Sequence, residues 1–291
     1  MRMVAAVAGL RCRQIDEDDI DAVASLLAHG FRSHDRAFWL DAFAQLSRHQ
    51  PPHGLPKYGY LLETADGVVG AILLICSTVP SSGAATTRCN LSSWYVDPAY
   101  RAYAPMLVSQ ALRHKDVTYL NVSSAPHTRP IIEAQGFSRY TDGVFVALPL
   151  LQGLFGPRVA VLPAQAGPPA GADPCDGEVM AQHVAHGCIG LWCVSDSGAL
   201  PFVFRPRMIR GVLPSALLIY CRDSADFVRY AGPLGRALTR RGCPFVVLDA
   251  NGRVPGLFGL FSPGVMPKYF KGPHRPRLGD LAYTERAVLG V

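Results

Sequence analysis

Hydrophobic and polar positions over the first 150 residues fall into short β-type runs separated by helical patterns. Residues 10–15 predict a first strand. Residues 16–19 then supply a helix cap with acidic groups in the first turn. Ile20, Val23, Ala24, Leu26 and Leu27 line one side of a helix that ends near Gly30. A second helical pattern covers 36–49, with Phe38, Trp39, Ala42, Phe43 and Leu46. Residues 58–64 and 68–78 are β-rich and joined by Ala-Asp-Gly, which supplies the positive φ angles of a tight hairpin. In 91–112, Leu91, Trp94 and Val96 suit a buried strand, Asp97 and Pro98 end it, and Pro105 opens a helix carrying Met106, Leu107, Val108, Ala111 and Leu112. At such a junction the loop and first-turn N–H groups lack intrahelical partners and the dipole favours negative charge, so phosphate or pyrophosphate is the natural ligand. The same junction also occurs in α/β folds without any ligand. Residues 117–123 predict another buried strand, followed by a short helix near 127–134, Gly136-Phe137 and a strand at 145–148.

The run VDPAYRAYAPML resembles the cofactor motif of the GNAT N-acyltransferases, in which a strand, a Pro-x-Tyr-Arg turn and a Gly-rich segment precede a helix and hold the pyrophosphate of acyl-coenzyme A. Arg101 takes the place of the motif's Arg or Gln, its two small positions fall on Ala104 and Met106, and Pro105 removes one N–H donor. The order strand, helix, helix, hairpin and strand-turn-helix is also the family's. PIIEAQGFSRY resembles its closing element, with the family's Asn falling on Ala125 and its proton-donating Tyr on Ile132.

The resemblance implies attack of an amine on the thioester of acetyl-CoA or another acyl-CoA. A carboxylate, His or water would take the amine's proton, and a backbone N–H at a splayed central strand would polarise the carbonyl. It places the cofactor against Tyr95, Val96, Arg101, Ala102, Tyr103, Ala104, Pro105 and Met106. The acceptor, an amine on a small molecule or peptide, would meet the region after the first helix, where Phe38, Trp39 and Phe43 are either pocket walls or core. Ser92, Ser93, Ser123 and Ser124 lie near strand ends, with His127 and Tyr95 as candidate proton carriers; none matches a family catalytic position, and a capping Ser or a surface His is the plainer reading.

Pro, Gly and Ala dominate 151–176, which reads as a linker between a domain at 1–150 and a second at 177–291. The second part repeats the first in outline. Residues 186–194 and 200–205 flank Asp-Ser-Gly, 215–221 is β-rich, Tyr230-Ala231-Gly232-Pro233-Leu234 echoes Tyr103-Ala104-Pro105-Met106-Leu107, and 243–248 comes next as a strand. The expected architecture is an α/β (α+β) GNAT-like mixed, mainly antiparallel sheet flanked by helices, in tandem, with a second copy lacking the first strand and helices. Gly232 and Gly235 read as a helix start without ligand. From Pro263 the chain reads as an irregular surface loop, and Tyr283 and Glu285, two apart on an apparent strand, would share a side as candidate acid and base.

Composition narrows the function classes. Of 291 residues 49% are hydrophobic and 17% charged, which fits a packed globular protein rather than a disordered one. The net charge of +6 and pI near 9.0 come from scattered basic residues, so no nucleic-acid partner is expected. Eight cysteines form no C-x-x-C pair, so no metal is expected; reduced thiols are the default, with Cys76, Cys193 and Cys221 as buried core residues. The apolar stretch near the N-terminus is short and no run is long enough to span a membrane, which points to a cytoplasmic location. Three functions remain open: an N-acyltransferase, a non-catalytic acyl-CoA sensor and a GNAT-fold scaffold, with the oligomeric state unassigned.

Overall fold

The computed structural model of the chain describes residues 9–79, 85–152 and 159–290. The apolar N-terminal stretch through residue 8 and residues 153–158 of the expected linker lie outside them. The contacts group the chain into two compact units, Met1–Asn121 with Lys271–His274, and Val122–Phe270 with Arg275–Val291.

The first unit runs β1 (Arg11–Gln14), α1 (Ile20–Gly30), α2 (Arg36–Arg48), β2 (Gly59–Thr64), β3 (Gly67–Val79), β4 (Thr86–Val96), α3 (Ala104–Ala111) and β5 (Thr118–Asn121). Its strands lie side by side in chain order, antiparallel as far as β4, with β5 parallel to β4. Arg13 on β1 grips Asp19 through two bonds of 2.5 and 2.7 Å and Glu63 on β2 at 2.8 Å, fixing the turn into α1. Asp35 caps α2 by accepting from the Phe38 N–H. Val23, Ala24 and Leu27 of α1 and Trp39, Ala42, Phe43 and Leu46 of α2 are buried. Trp39 and Phe43 are therefore core, and Phe43 meets Tyr58 edge-on at 5.4 Å. Cys76 and Cys89 depart from the reduced state expected of them: they stand directly opposite on β3 and β4, with Cα atoms 4.0 Å apart, and are joined as a disulfide.

β4 departs from a regular, fully paired strand in two ways. Its parallel ladder to β5 lasts three pairs, ending at Asn90↔Leu120, while β4 itself runs on to Val96. Between Ser92 and Tyr95 it carries one residue more than β3 opposite, a bulge at which Ser93 takes φ 48°.

The second unit contains α4 (Arg129–Ala134), β6 (Ser138–Ala147), β7 (Ala160–Pro163), α5 (Pro174–Ala185), β8 (Ile189–Ser195), β9 (Gly198–Ile209), β10 (Leu213–Cys221), α6 (Ser224–Arg229), α7 (Ala231–Thr239), β11 (Phe245–Ala250), β12 (Gly259–Lys271) and α8 (Glu285–Val288). The strand order is β12-β6-β11-β10-β9-β8-β7. Strands β7 to β11 repeat β1 to β5 pair for pair. β7 through β10 are antiparallel neighbours, β11 is parallel to β10 over three pairs ending at Leu217↔Val247, and a one-residue bulge comes next on β10 at Ile219.

The structure revises the second half in three places. The second copy has its own first strand, β7, and a helix, α5, in and beside the stretch expected to be a linker. Asp173 caps α5 by accepting from the Cys175 N–H, with Pro174 at the first helical position. The division between units falls at 121/122, not within 151–176, because β6, from the first half of the sequence, pairs with β11 and β12 inside the second unit. The stretch after Pro263 is not an irregular surface loop: it continues β12, and Lys268 is fully buried in an ion pair with Asp249 of β11. Burial pulls the Lys268 ammonium down from its ordinary pKa, and the Asp249 carboxylate opposes that shift.

The core of the second unit gathers Phe145, Phe202, Phe204, Phe227, Tyr230, Leu234 and Leu248. Gly235 on α7 is pressed against the 149–150 backbone, so that an added Cβ would stand 2.5 Å from the Leu150 nitrogen. Gly235→Ala should therefore cost about 1–3 kcal/mol through overpacking. Gly177→Ala on α5, whose Cβ would have nothing nearer than 3.8 Å, should gain up to about 1 kcal/mol of helix propensity. Urea unfolding of both variants checks the pair.

In the first unit, the hydrogen bonds from Arg13 pull Asp19 down to about 2 from its ordinary 3.8 and lower Glu63 as well. Both shifts are depressions, so the stability they contribute is present above the ordinary carboxylate range and lost as pH falls toward 2. Arg13→Met should lower Tm by about 1–4 °C at pH 6, a deficit that closes in thermal scans near pH 2.

Candidate functional site

The junction after β4 is built by Asp97. Its N–H donates to the Val69 carbonyl at 2.8 Å, its Oδ1 accepts from the Ala99 N–H at 3.0 Å and its carbonyl accepts from the Tyr100 N–H at 2.8 Å. Residues Pro98–Tyr103 thereby wind into a 3-10 turn that runs into α3, and the Ala104 N–H closes it on the Arg101 carbonyl. The N–H groups of Ala99, Tyr100 and Ala104 are thus engaged within the turn, and Pro105 has none. This is a wound turn rather than an open glycine loop. Arg101 and Ala102 are exposed on it, Tyr103 and Ala104 half-buried, and Pro105 and Met106 exposed on the first turn of α3. Met106 stands 41% exposed, so its side chain points out into solvent. Leu107, Val108 and Ala111 hold α3 down, and Gly70 lets Leu107 and Val96 close over β3.

Upstream, the Tyr95 ring lies so close over Gly30 that a Cβ there would be 2.4 Å from it, with Phe31 at 6.2 Å. Around the bulge, buried polar atoms on two side chains of β4 have no hydrogen-bond partner among the described residues: the indole N–H of half-buried Trp94, and both amide atoms of buried Asn90. They stand where the ladder to β5 has ended. A buried unpaired donor costs the desolvation of that group, and a polar, extended ligand lying along β4 would satisfy both.

The loop between α1 and α2 forms an open depression of about 610 Å³ lined by Ala28, Arg32, Ser33, His34, Asp35 and Phe38. The His34 and Phe38 rings stack at 4.0 Å. Of the three aromatics expected to wall an acceptor pocket, Phe38 alone lines it.

The four candidate catalytic residues all belong to the second unit. Exposed Ser123 donates from Oγ to Oε1 of Glu285, which is 1% exposed. His127 is exposed on the 3-10 turn Pro126–Thr128. Tyr283 and Glu285 do not share the side of a strand: Tyr283 sits at φ 57° in a turn, and Glu285 is the first residue of α8 after Thr284. The Tyr283 N–H donates to His183 Nε2 at 3.0 Å and its ring meets the His183 ring at 4.8 Å. His183 Nδ1 lies 2.7 Å from the Val179 carbonyl, which can only accept. Those two bonds specify the Nδ1–H tautomer of a fully buried imidazole. His183 escapes sequence reasoning because α5 begins inside a stretch whose composition reads as a linker; its i, i+4 spacing to Val179 is the available signal.

The second copy closes the place where the first is open. Past the end of the β10–β11 ladder, the Cys221 N–H donates to the Gly279 carbonyl at 3.0 Å and the Leu281 N–H to the Ile219 carbonyl at 2.7 Å. Tyr220 bridges Asp280. Tyr230, Ala231, Gly232 and Pro233, the counterpart of the Arg101 turn, are buried. Gly232 and Gly235 serve packing, as expected of a helix start without ligand.

No cluster of three or more His, Cys, Asp or Glu suited to a metal occurs among the described residues, and no helix there is long and apolar enough to cross a membrane.

No family model and no curated protein matches the sequence. Solved structures do resemble the fold. A Pyrococcus horikoshii protein assigned as an acetyltransferase superposes with TM-score 0.53 at 13% identity, over 97% of this chain and 96% of its own. A GCN5-related N-acetyltransferase from Kribbella flavida gives TM-score 0.57 at 16% identity, over 92% and 72%. An Enterococcus faecalis protein of unknown function with an N-acyltransferase assignment gives 0.57 at 11%, over 95% and 74%. With strand order, bulge and splayed parallel pair all in place, the chain has the fold of the GCN5-related N-acetyltransferase superfamily.

Proposed function

We propose that the protein is an N-acyltransferase that uses acetyl-CoA or a longer acyl-CoA and an amine on a small molecule or peptide. One observation carries this reading: β4 parts from β5 after Asn90, bulges at Ser93, leaves the Trp94 and Asn90 side chains unpaired, and leads directly into the Arg101 turn. When bound, the coenzyme supplies an acyl thioester. Asn90 and Trp94 would hold its polar arm, Arg101 its phosphates, and Tyr95 and Val96 would back the strand. Ala102, Tyr103, Ala104, Pro105 and Met106 shape the rim. With three loop N–H groups engaged in the turn, phosphate affinity falls chiefly on the Arg101 guanidinium, a fork suited to bidentate contact.

The candidate catalytic residues belong to the second unit. Within the second unit Glu285 accepts a hydrogen bond from Ser123, a hydroxyl–carboxylate pair of the kind that takes up protons. Tyr283 and His127 are the remaining candidates, the first held by His183 and the second exposed.

A second reading, an acyl-CoA sensor, is favoured by one observation. Ile132, in the place of the superfamily's proton-donating Tyr, is the buried residue of α4 at 2% exposure, so no acid acts from that position.

Calorimetric titration with acetyl-CoA and a long-chain acyl-CoA should show micromolar binding that weakens about tenfold or more in Arg101→Ala. Absence of binding to either ligand would leave only a scaffold. Free-thiol release with a panel of amines should then accompany binding and fall with it in Arg101→Ala. Binding without thiol release in the unmodified protein would establish the sensor instead.

A further inference from the structure

The second unit holds a cluster of cations that the acyl-transfer reading does not use. A pocket of about 280 Å³ opens beside β9, lined by Arg205, Arg207, Leu217, Arg286 and Gly290 among others. Its three guanidiniums are not equivalent. Arg205 is structural: it donates to the carbonyls of His186 and Ala287 and lies against Gly290, where a Cβ would stand 2.4 Å from its Nη2. Among the described residues Arg207 reaches only the Met266 sulfur, at 3.8 Å. The Arg286 Nε is buried and has no hydrogen-bond partner among the described residues.

No carboxylate pairs with Arg207 or Arg286 among the described residues. The acidic groups near them in the fold are committed elsewhere, Asp249 to Lys268 and Glu285 to Ser123. Lys268, already paired with Asp249, offers them no counter-charge, and both arginines disfavour its charged form. Arg207 in turn is pulled below its ordinary pKa, first by burial and then by Arg286. Two half-buried guanidiniums are thus held near one another around a cavity with no carboxylate among its described lining residues, an arrangement that costs free energy through like-charge repulsion and desolvation.

We propose that Arg207 and Arg286 form a receiving site for a phosphate group carrying two negative charges. Charge sets the class, because two unpaired guanidiniums match a dianion and offer forked donors to its oxygens. Size sets the limit, because the pocket lies at the small end of ligand cavities and admits a phosphate with little beyond it. The ligand is a free phosphate ion or the phosphate of a small monoester. The site rests on unit-two residues alone and is independent of the Arg101 loop.

The test is calorimetric titration of the full chain with inorganic phosphate at pH 7.5 and constant ionic strength, with acetate as the monoanion control and glycerol phosphate as the monoester arm. Phosphate should bind with Kd on the order of 1 mM and acetate at least about tenfold more weakly, with the glycerol phosphate arm showing which source is preferred. Arg207→Gln and Arg286→Gln should each weaken phosphate at least about tenfold, while Arg210→Gln, on the exposed β9–β10 turn, leaves it unchanged. Circular dichroism confirms that each variant is folded, and either folded variant decides the question. Without phosphate, Arg207→Gln should raise Tm, since it removes the repulsion. No phosphate binding by the unmodified chain, or binding that survives both Gln substitutions, overturns the proposal.

Discussion

Three parallel residue pairs are all that join β4 to β5, and the same number join β10 to β11. The rest of the architecture depends on how each unit deals with the backbone groups this short pairing leaves over. A strand that outruns its neighbour presents unpaired N–H and C=O groups, and buried groups of that kind must find a partner. In both units a one-residue bulge comes shortly after the ladder ends, turning the strand further from its former neighbour. The first unit then leads into an exposed turn bearing Arg101. The second brings up its own chain, and residues 279–281 complete β10 through the Gly279 and Leu281 backbone.

That difference explains how one fold used twice can be chemically asymmetric. In the second copy the segment that pairs with β10 also sets Tyr283 on His183 and starts α8 at Glu285, so filling the gap positions the polar residues beyond it. In the first copy the gap is left with the Trp94 indole and Asn90 amide unpaired. Polar atoms with no internal partner are an unfavourable feature for stability alone, and proteins retain such features where a ligand completes them.

Much of the first half is legible in the sequence because its signals are local. Asp97-Pro98 ends a strand, Asp16 to Asp19 open the first helical segment, and Asp-Gly makes a hairpin; each acts through neighbours within a few residues. What stays hidden depends on residues far apart in sequence. Nothing near Ser138 says that β6 will pair with β11 a hundred residues later, and nothing in 151–176 separates β7 from a linker, since four residues of a strand are too few for a period. Tyr283 and Glu285 read as alternating strand positions and prove to be a turn and a helix start. Glu285 still meets Ser123, a contact between two candidates 162 residues apart that no local pattern encodes. Lys268 and Asp249 are invisible for a further reason: a buried lysine reads as a surface residue until its carboxylate is located.

The two departures from the superfamily's motif, the wound Arg101 turn and Ile132, act on different parts of the free-energy profile. Engaging the N–H groups of Ala99, Tyr100 and Ala104 within the turn removes donors a phosphate would use in ground state and transition state alike, so the loss falls on affinity. Replacing a Tyr by Ile132 removes an acid from the departure of a thiol. A thiol of pKa about 8.5 leaves readily as thiolate near neutral pH, which makes this the step that gains least from a proton donor. Deprotonating an ammonium of pKa about 10 to make a nucleophile has no such alternative. On the proposed acyl-transfer reading, a chain with both departures loses cofactor affinity first and depends for its rate on whichever base takes the amine proton.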